Sequence, residues 1–133
     1  MVTIAAPLKD RIREELAEGE LLELAFEGVR SRWLPWTWPG LFVAQPCGIA
    51  LTDQRVLVFE VGRSSRSDAR VVWEVPRSVV RARFKRIRRW QWTPLHGSWS
   101  RLDLTLPNAK IKVYVDRTAR NAAAAFARAT ASP

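Results

Sequence analysis

Residues 48–61 read Gly-Ile-Ala-Leu-Thr-Asp-Gln-Arg-Val-Leu-Val-Phe-Glu-Val. Two apolar runs rich in β-branched side chains flank the polar triplet Thr52-Asp53-Gln54, and this pattern predicts two antiparallel strands joined by a tight turn. The hairpin decides the fold class, because further short strands joined by turns lie on both sides of it. Such a succession is typical of an antiparallel sandwich or a part-closed barrel.

Alternation of apolar and polar residues predicts these further strands. One lies within residues 20–32; after the hairpin come a short strand that Pro76 ends, a long basic strand over residues 79–92, and two strands joined by a turn at 107–109. The side chains that we expect to face the interior are Leu22, Leu24, Phe26, Val56, Val58, Leu102, Leu104, Leu106, Ile111, Val113 and Val115.

A helix is predicted at each end of the chain. Apolar residues recur every four positions near the N-terminus, which predicts an amphipathic helix within residues 1–18, followed by a single domain over residues 19–133. Glu20 and the glutamates before it are interpreted as a solvated surface. Near the C-terminus, Asp116 is the predicted N-cap of a last helix, and Phe126 is the large apolar residue expected to pack it on the sheet.

Four strings carry a resemblance to a known family: Gly19-Glu20, Ala-Leu-Thr-Asp-Gln-Arg-Val-Leu-Val at 50–58, Glu-Val-Pro-Arg-Ser-Val-Val at 74–80, and Leu-Asp-Leu-Thr-Leu-Pro-Asn at 102–108. With the order of elements, they resemble the bacterial PH-like domains, relatives of the pleckstrin-homology and GRAM folds. The resemblance implies a mainly β fold, a seven-stranded antiparallel bent sandwich with an N-terminal helix and a C-terminal capping helix. It also implies a non-catalytic binding module without a cofactor.

Net charge points to an anionic partner. The chain has 22 basic and 13 acidic residues, a formal charge of +9, which favours anionic lipid or nucleic acid. Eukaryotic relatives of the family often bind phosphoinositides through a basic pattern in the first hairpin, and Arg30-Ser31-Arg32 is similar to its second half. A second basic segment with aromatic residues contains Arg88 and Arg89. The candidate anionic-ligand residues are therefore Arg30, Arg32, Arg88 and Arg89.

An uncharged, tryptophan-rich segment follows Arg32. Residues 33–52 contain no charged side chain, and their length would suit a membrane span. The prolines among them argue against a spanning helix, because each interior proline costs roughly 3 kcal/mol. A proline-braced aromatic loop suits a membrane–water interface or an apolar groove of a partner. The candidate contact residues are Trp33, Trp36, Trp38 and Leu41, although their rings could equally fold back and close the mouth of the barrel.

Chemistry other than binding finds little support in the sequence. His96 has no second ligand at metal-binding spacing, so no metal site is predicted. Cys47 lies in an apolar run and is interpreted as a small core residue. As the only cysteine it can form no internal disulfide, and the N-terminus lacks an export signal, so we expect a cytoplasmic protein, at most peripheral on the inner face of the membrane.

Three functional hypotheses remain open at this point. The leading one is peripheral association with anionic membrane lipid through the tryptophan-rich loop and neighbouring arginines. The first alternative is a protein–protein interaction module that uses a sheet edge or the same loop. The second alternative is nucleic-acid binding through the basic strand, whose charged side chains could also be an ordinary solvated face.

Overall fold

The computed structural model describes residues 2–3, 6–30, 45–62, 69–86 and 100–130. The elements in chain order are β1 (Val2–Thr3), α1 (Ala6–Glu15), β2 (Leu22–Arg30), β3 (Gln45–Thr52), β4 (Arg55–Glu60), β5 (Arg70–Pro76), a 3-10 turn (Arg77–Val79), β6 (Arg81–Arg86), β7 (Ser100–Leu106), β8 (Ala109–Val115) and α2 (Arg120–Thr130).

Seven antiparallel strands form one sheet in the order β5-β4-β3-β2-β8-β7-β6. The terminal strands β5 and β6 do not pair with each other, so the sheet bends into an open sandwich rather than a closed barrel. The predicted mainly β architecture is confirmed, and the central hairpin forms with Leu51 paired to Val56. The short strand β1 was not predicted; it pairs in parallel with β2, with Val2 opposite Ala25. Two residues are too few to show a period in the sequence.

The two halves of the sheet join along β2. This strand pairs with β3 over its whole length but with β8 only at Val29 and Arg30. Gly28 permits the junction, because a Cβ atom there would lie 2.7 Å from Val113 Cγ1 and 2.8 Å from the Tyr114 carbonyl oxygen. The chain therefore needs a residue without a side chain at the point where the sheet turns from one half to the other.

The main core lies between the two halves of the sheet and confirms the predicted alternation. Of the residues expected inside, all are buried except Leu22, which is half-buried. α2 covers the core: Phe126 is fully buried, and its ring meets that of Phe26 edge-on at 5.9 Å. Asp116 Oδ1 accepts the backbone N–H of Ala119 at 3.2 Å. The predicted packing of Phe126 is confirmed, whereas Asp116 caps the turn 117–119 that leads into α2.

A second, smaller core lies on the outer face of β2–β4. Leu8 and Ile12 of α1 are fully buried there against Leu57 and Phe59. The helix lies so close to the sheet that a Cβ atom on Gly48 would be 2.8 Å from Leu8 Cδ2. β4 is consequently buried on both faces, which is why its sequence is a continuous apolar run rather than an alternating one.

Glu20 is buried, which overturns its interpretation as a solvated residue. Its carboxylate accepts two hydrogen bonds from Arg55, from Nε to Oε2 and from Nη2 to Oε1, both 2.8 Å. The Thr52 hydroxyl donates to Oε2 at 2.7 Å, and the Ala17 N–H donates to Oε1 at 2.9 Å. The bidentate ion pair ties the turn after α1 to the β3–β4 hairpin.

Candidate binding surfaces

Arg30 is the one predicted site residue that the structure describes. The others, Trp33, Trp36, Trp38, Leu41, Arg32, Arg88 and Arg89, lie outside the described residues. Arg30 ends β2 and pairs with Gln45 of β3 and with Val113 of β8. We call this meeting point of three strands the β2 corner.

A tryptophan lies beneath the guanidinium at the β2 corner. The Cζ atom of Arg30 is 5.0 Å from the centre of the Trp73 ring, a cation–π contact. Trp73 pairs with Val58, whereas the next residue of β4, Phe59, pairs with Val71. The extra residue, Val72, makes a β-bulge in β5. Both Val72 and Trp73 pack against the main core as a result.

The two sides of the tryptophan-rich segment meet at the β2 corner. Arg30 precedes residues 31–44 and pairs with Gln45, which follows them. The Gln45 side-chain amide donates to the Val61 carbonyl oxygen at 3.0 Å. Val61 in turn lies two residues before Arg63, the first residue of the arginine-containing segment 63–68. The described flanks of both segments are thus within hydrogen-bonding contact of each other.

The flanks of the third undescribed segment lie two and three strands away from Arg30. Ser100, which follows residues 87–99, pairs with both Arg86 and Val115. Val115 is two residues from Val113, the partner of Arg30, which corresponds to about 7 Å along a strand. Of the seven tryptophans, six belong to segments 31–44 and 87–99, and the seventh is Trp73. β2 and β6 run in opposite directions, so the end of β6 at Arg86 points away from the end of β2 at Arg30. Trp73 is the described tryptophan at the β2 corner.

Cys47 lies in the main core beside this corner. Burial raises the pKa of its thiol to about 12, against a smaller opposing effect of the Arg30 charge. At neutral pH the residue is a buried thiol rather than a thiolate, and the interpretation as a core residue is confirmed. Within the described part of the chain, no group of three or more His, Cys, Asp or Glu side chains could hold a metal ion.

A second surface, the outer face of β6–β8, is strongly basic. β6 shows the predicted alternation, with Arg81, Arg83 and Lys85 exposed and Phe84 directed to the core. Sequence reasoning missed the other side of this surface, where Lys110 and Lys112 are exposed on β8. The strand register aligns Arg81 with Thr105 and Lys110, and Arg83 with Asp103 and Lys112. The cations therefore form one row along β6 and another along β8, on either side of β7. We call this surface the basic face.

The signal that would have revealed the basic face is the distribution of charge along the chain. Residues 75–133 hold 13 of the 22 basic residues and 2 of the 13 acidic ones, a formal charge of +11. Residues 1–74 hold the other 9 basic and 11 acidic residues, a formal charge of −2. Such asymmetry between halves indicates an interaction with an anionic partner through one of them.

Comparison with known proteins bears on the fold. No protein-family model matches the sequence, and no curated protein matches it. Among solved structures the chain is similar to a PH domain within OCRL, described as bridging clathrin-mediated membrane trafficking to phosphoinositide metabolism. The TM-score is 0.56 at 16% sequence identity, over 94% of this chain and 80% of that one. At this identity the likeness concerns the fold, which is PH-like.

Proposed function

We propose that this chain is a non-catalytic binding module that associates peripherally with anionic membrane lipid. The contacts would be Trp33, Trp36, Trp38 and Leu41 for the interface, with Arg30, Arg32, Arg88 and Arg89 for the headgroups. A PH-like fold supports a lipid- or protein-binding module in general terms. No helix among the described residues is long and apolar enough to cross a membrane, so the proposal requires binding at the surface.

The observation that carries the proposal is the clustering of strand ends at the β2 corner. Interfacial binding needs indole rings and cations on the same end of the molecule, since both must reach one plane of headgroups. The described flanks of segments 31–44 and 63–68 meet at Arg30 and Gln45, and the Trp73 ring lies against the Arg30 guanidinium. These two segments contain three tryptophans and three arginines, which supports the pairing of rings with charges expected at a membrane-binding end.

Two weak contributions would add up at such a surface. Each surface cation contributes about 1 kcal/mol against an anionic leaflet, and an indole ring at the interface adds an apolar contribution that does not depend on salt. Binding should consequently weaken but persist as ionic strength rises, because only the electrostatic part is screened.

The test is partitioning into vesicles of phosphatidylcholine with and without phosphatidylglycerol. We expect W36A/W38A to abolish partitioning while the melting temperature stays nearly unchanged, as is usual for surface substitutions. The matched control is L21A/V79A, which removes the two large apolar side chains that are exposed in the described residues, at 67% and 44%. Leu21 precedes β2 at its opposite end, roughly 30 Å from Arg30 along the strand, and this variant should bind as the parent does.

A different result would refute the membrane proposal. If W36A/W38A melts many degrees lower and the parent protein shows no vesicle affinity, the rings close the sandwich and the membrane proposal fails. The hypothesis of a protein–protein interaction module would then remain.

A further inference from the structure

The basic face gathers cations that form no ion pair on one side of three adjacent strands. Several other arginines are engaged, Arg55 with Glu20, Arg77 with Glu23 and Arg70 with Glu60. On the basic face, Arg81, Arg83, Lys85, Lys110 and Lys112 form no ion pair with any described residue. Five positive charges thus lie on one side of a three-stranded sheet without a carboxylate partner among the described residues.

The acidic residue at the centre of the basic face does not cancel these charges. Asp103 lies on β7 between Arg83 and Lys112. Its carboxylate is paired instead with Arg101, Nε to Oδ1 at 2.9 Å and Nη2 to Oδ2 at 3.3 Å. The pair is neutral as a whole, and the five free cations around it determine the local potential.

The geometry of the basic face is that of a groove between two rows of cations. Side chains two residues apart on one strand are separated by about 7 Å, and β6 and β8 lie about 10 Å apart across β7. A depression of about 360 Å³ lies between them; it is lined by the charged and polar residues Arg81, Arg83, Asp103, Thr105, Lys110 and Lys112 and by Ala82, Leu104 and Ile111. The row on β6 continues past the depression to Lys85, so the positive charges form an extended line rather than a compact cluster.

We propose that the basic face binds the phosphate backbone of single-stranded nucleic acid. A linear polyanion can lie along the depression, with cations on both sides of it. Recognition would be independent of sequence, because this face offers bases no exposed aromatic ring: Phe84 faces the core and Tyr114 is 2% exposed. The site is separate from the contacts assigned to membrane association and does not depend on them.

The test is fluorescence anisotropy of a labelled oligothymidylate of about 12 nucleotides. Five phosphate contacts predict a slope near −3.5 for the logarithm of affinity against that of salt, so affinity should fall about a hundredfold between 50 and 200 mM salt. R83Q/K110Q/K112Q should reduce the slope to about −1.4, a fall of about sevenfold over the same range. Its melting temperature should not change, because the three side chains are exposed and unpaired.

A control with the same net charge separates a site from a general charge effect. R13Q/R117Q/R128Q removes three exposed arginines outside the basic face and should keep the parent slope. Equal losses in both triple variants would overturn the proposal, as would tighter binding of a duplex of the same length. Binding of inorganic polyphosphate without binding of the oligonucleotide would also overturn it. So would a triple variant that loses affinity for phosphatidylglycerol vesicles but keeps its affinity for the oligonucleotide.

Discussion

Replacing Glu20 by glutamine should remove a large part of the stability that the protein has at neutral pH. Hydrogen bonds from Arg55, followed by those from Ala17 and Thr52, outweigh the effect of burial and lower the pKa of Glu20 from its ordinary 4.5 to about 2. Each pH unit between the folded and unfolded values corresponds to about 1.4 kcal/mol. The ionised carboxylate thus contributes roughly 3 kcal/mol above pH 5, an order-of-magnitude figure for a side chain with no exposed area.

The sign of the pH dependence follows from this depressed pKa. As the pH falls below 4.5 the unfolded chain takes up a proton at Glu20 while the folded chain does not, so the stabilisation is lost progressively until about pH 2. In E20Q the glutamine amide can still accept hydrogen bonds, but Arg55, whose side chain is 19% exposed, loses its buried counter-charge. Glu74 remains as its partner at the surface.

The assay is urea unfolding followed by tryptophan fluorescence at pH 7 and at pH 3, with E74Q as the matched control. We expect E20Q to lose about 3 kcal/mol at pH 7 and much less at pH 3. E74Q should lose under about 1 kcal/mol, because Glu74 is 56% exposed. If the free energy of unfolding changed with pH in the same way in the parent and in E20Q, a pH-dependent stabilisation by this carboxylate would be refuted.

Three further predictions follow from other parts of the structure. F126A should cost about 3–5 kcal/mol in chemical unfolding, since the ring is fully buried against Phe26; a loss under 1 kcal/mol would show that α2 is not a structural lid. R88Q/R89Q should weaken binding to phosphatidylglycerol vesicles and flatten its salt dependence, and unchanged affinity would remove these arginines from the membrane proposal. Cys47 should react with a thiol reagent only as fast as the protein unfolds, because its thiol is buried with a raised pKa; rapid labelling of the native protein would contradict this.

The fold could be predicted from the sequence wherever one face of an element is buried and the other is not. β7 and β6 alternate clearly, and their alternation fixed both the strands and the inward side chains. The same logic could not identify what covers β4, because a strand buried on both faces shows no period. That Leu8 and Ile12 cover it became clear only from the structure.

Charged residues were harder to interpret than apolar ones, and for a physical reason. Glu20 looks in sequence like any surface glutamate, since its burial depends on Arg55, 35 positions away along the chain. Burial of a charge is tolerable only when a partner is brought to it by the tertiary fold. Local patterns carry no information about such a partner.

The same dependence on pairing decides which basic residues are available to a ligand. Arg55 and Arg77 are as basic in sequence as Arg83, yet each of the first two forms an ion pair. Arg83 forms none with a described residue, because its neighbour Asp103 pairs with Arg101. Net charge alone therefore overestimates the cations that can bind, and the strand register shows which remain. Five cations without an ion pair lie together on the outer face of β6–β8, and Arg30 contacts the uncharged Trp73 ring at the β2 corner. Two separate cationic surfaces, one beside Trp73 and one without an exposed aromatic ring among the described residues, make the proposed lipid and nucleic-acid binding distinguishable by mutation in this chain.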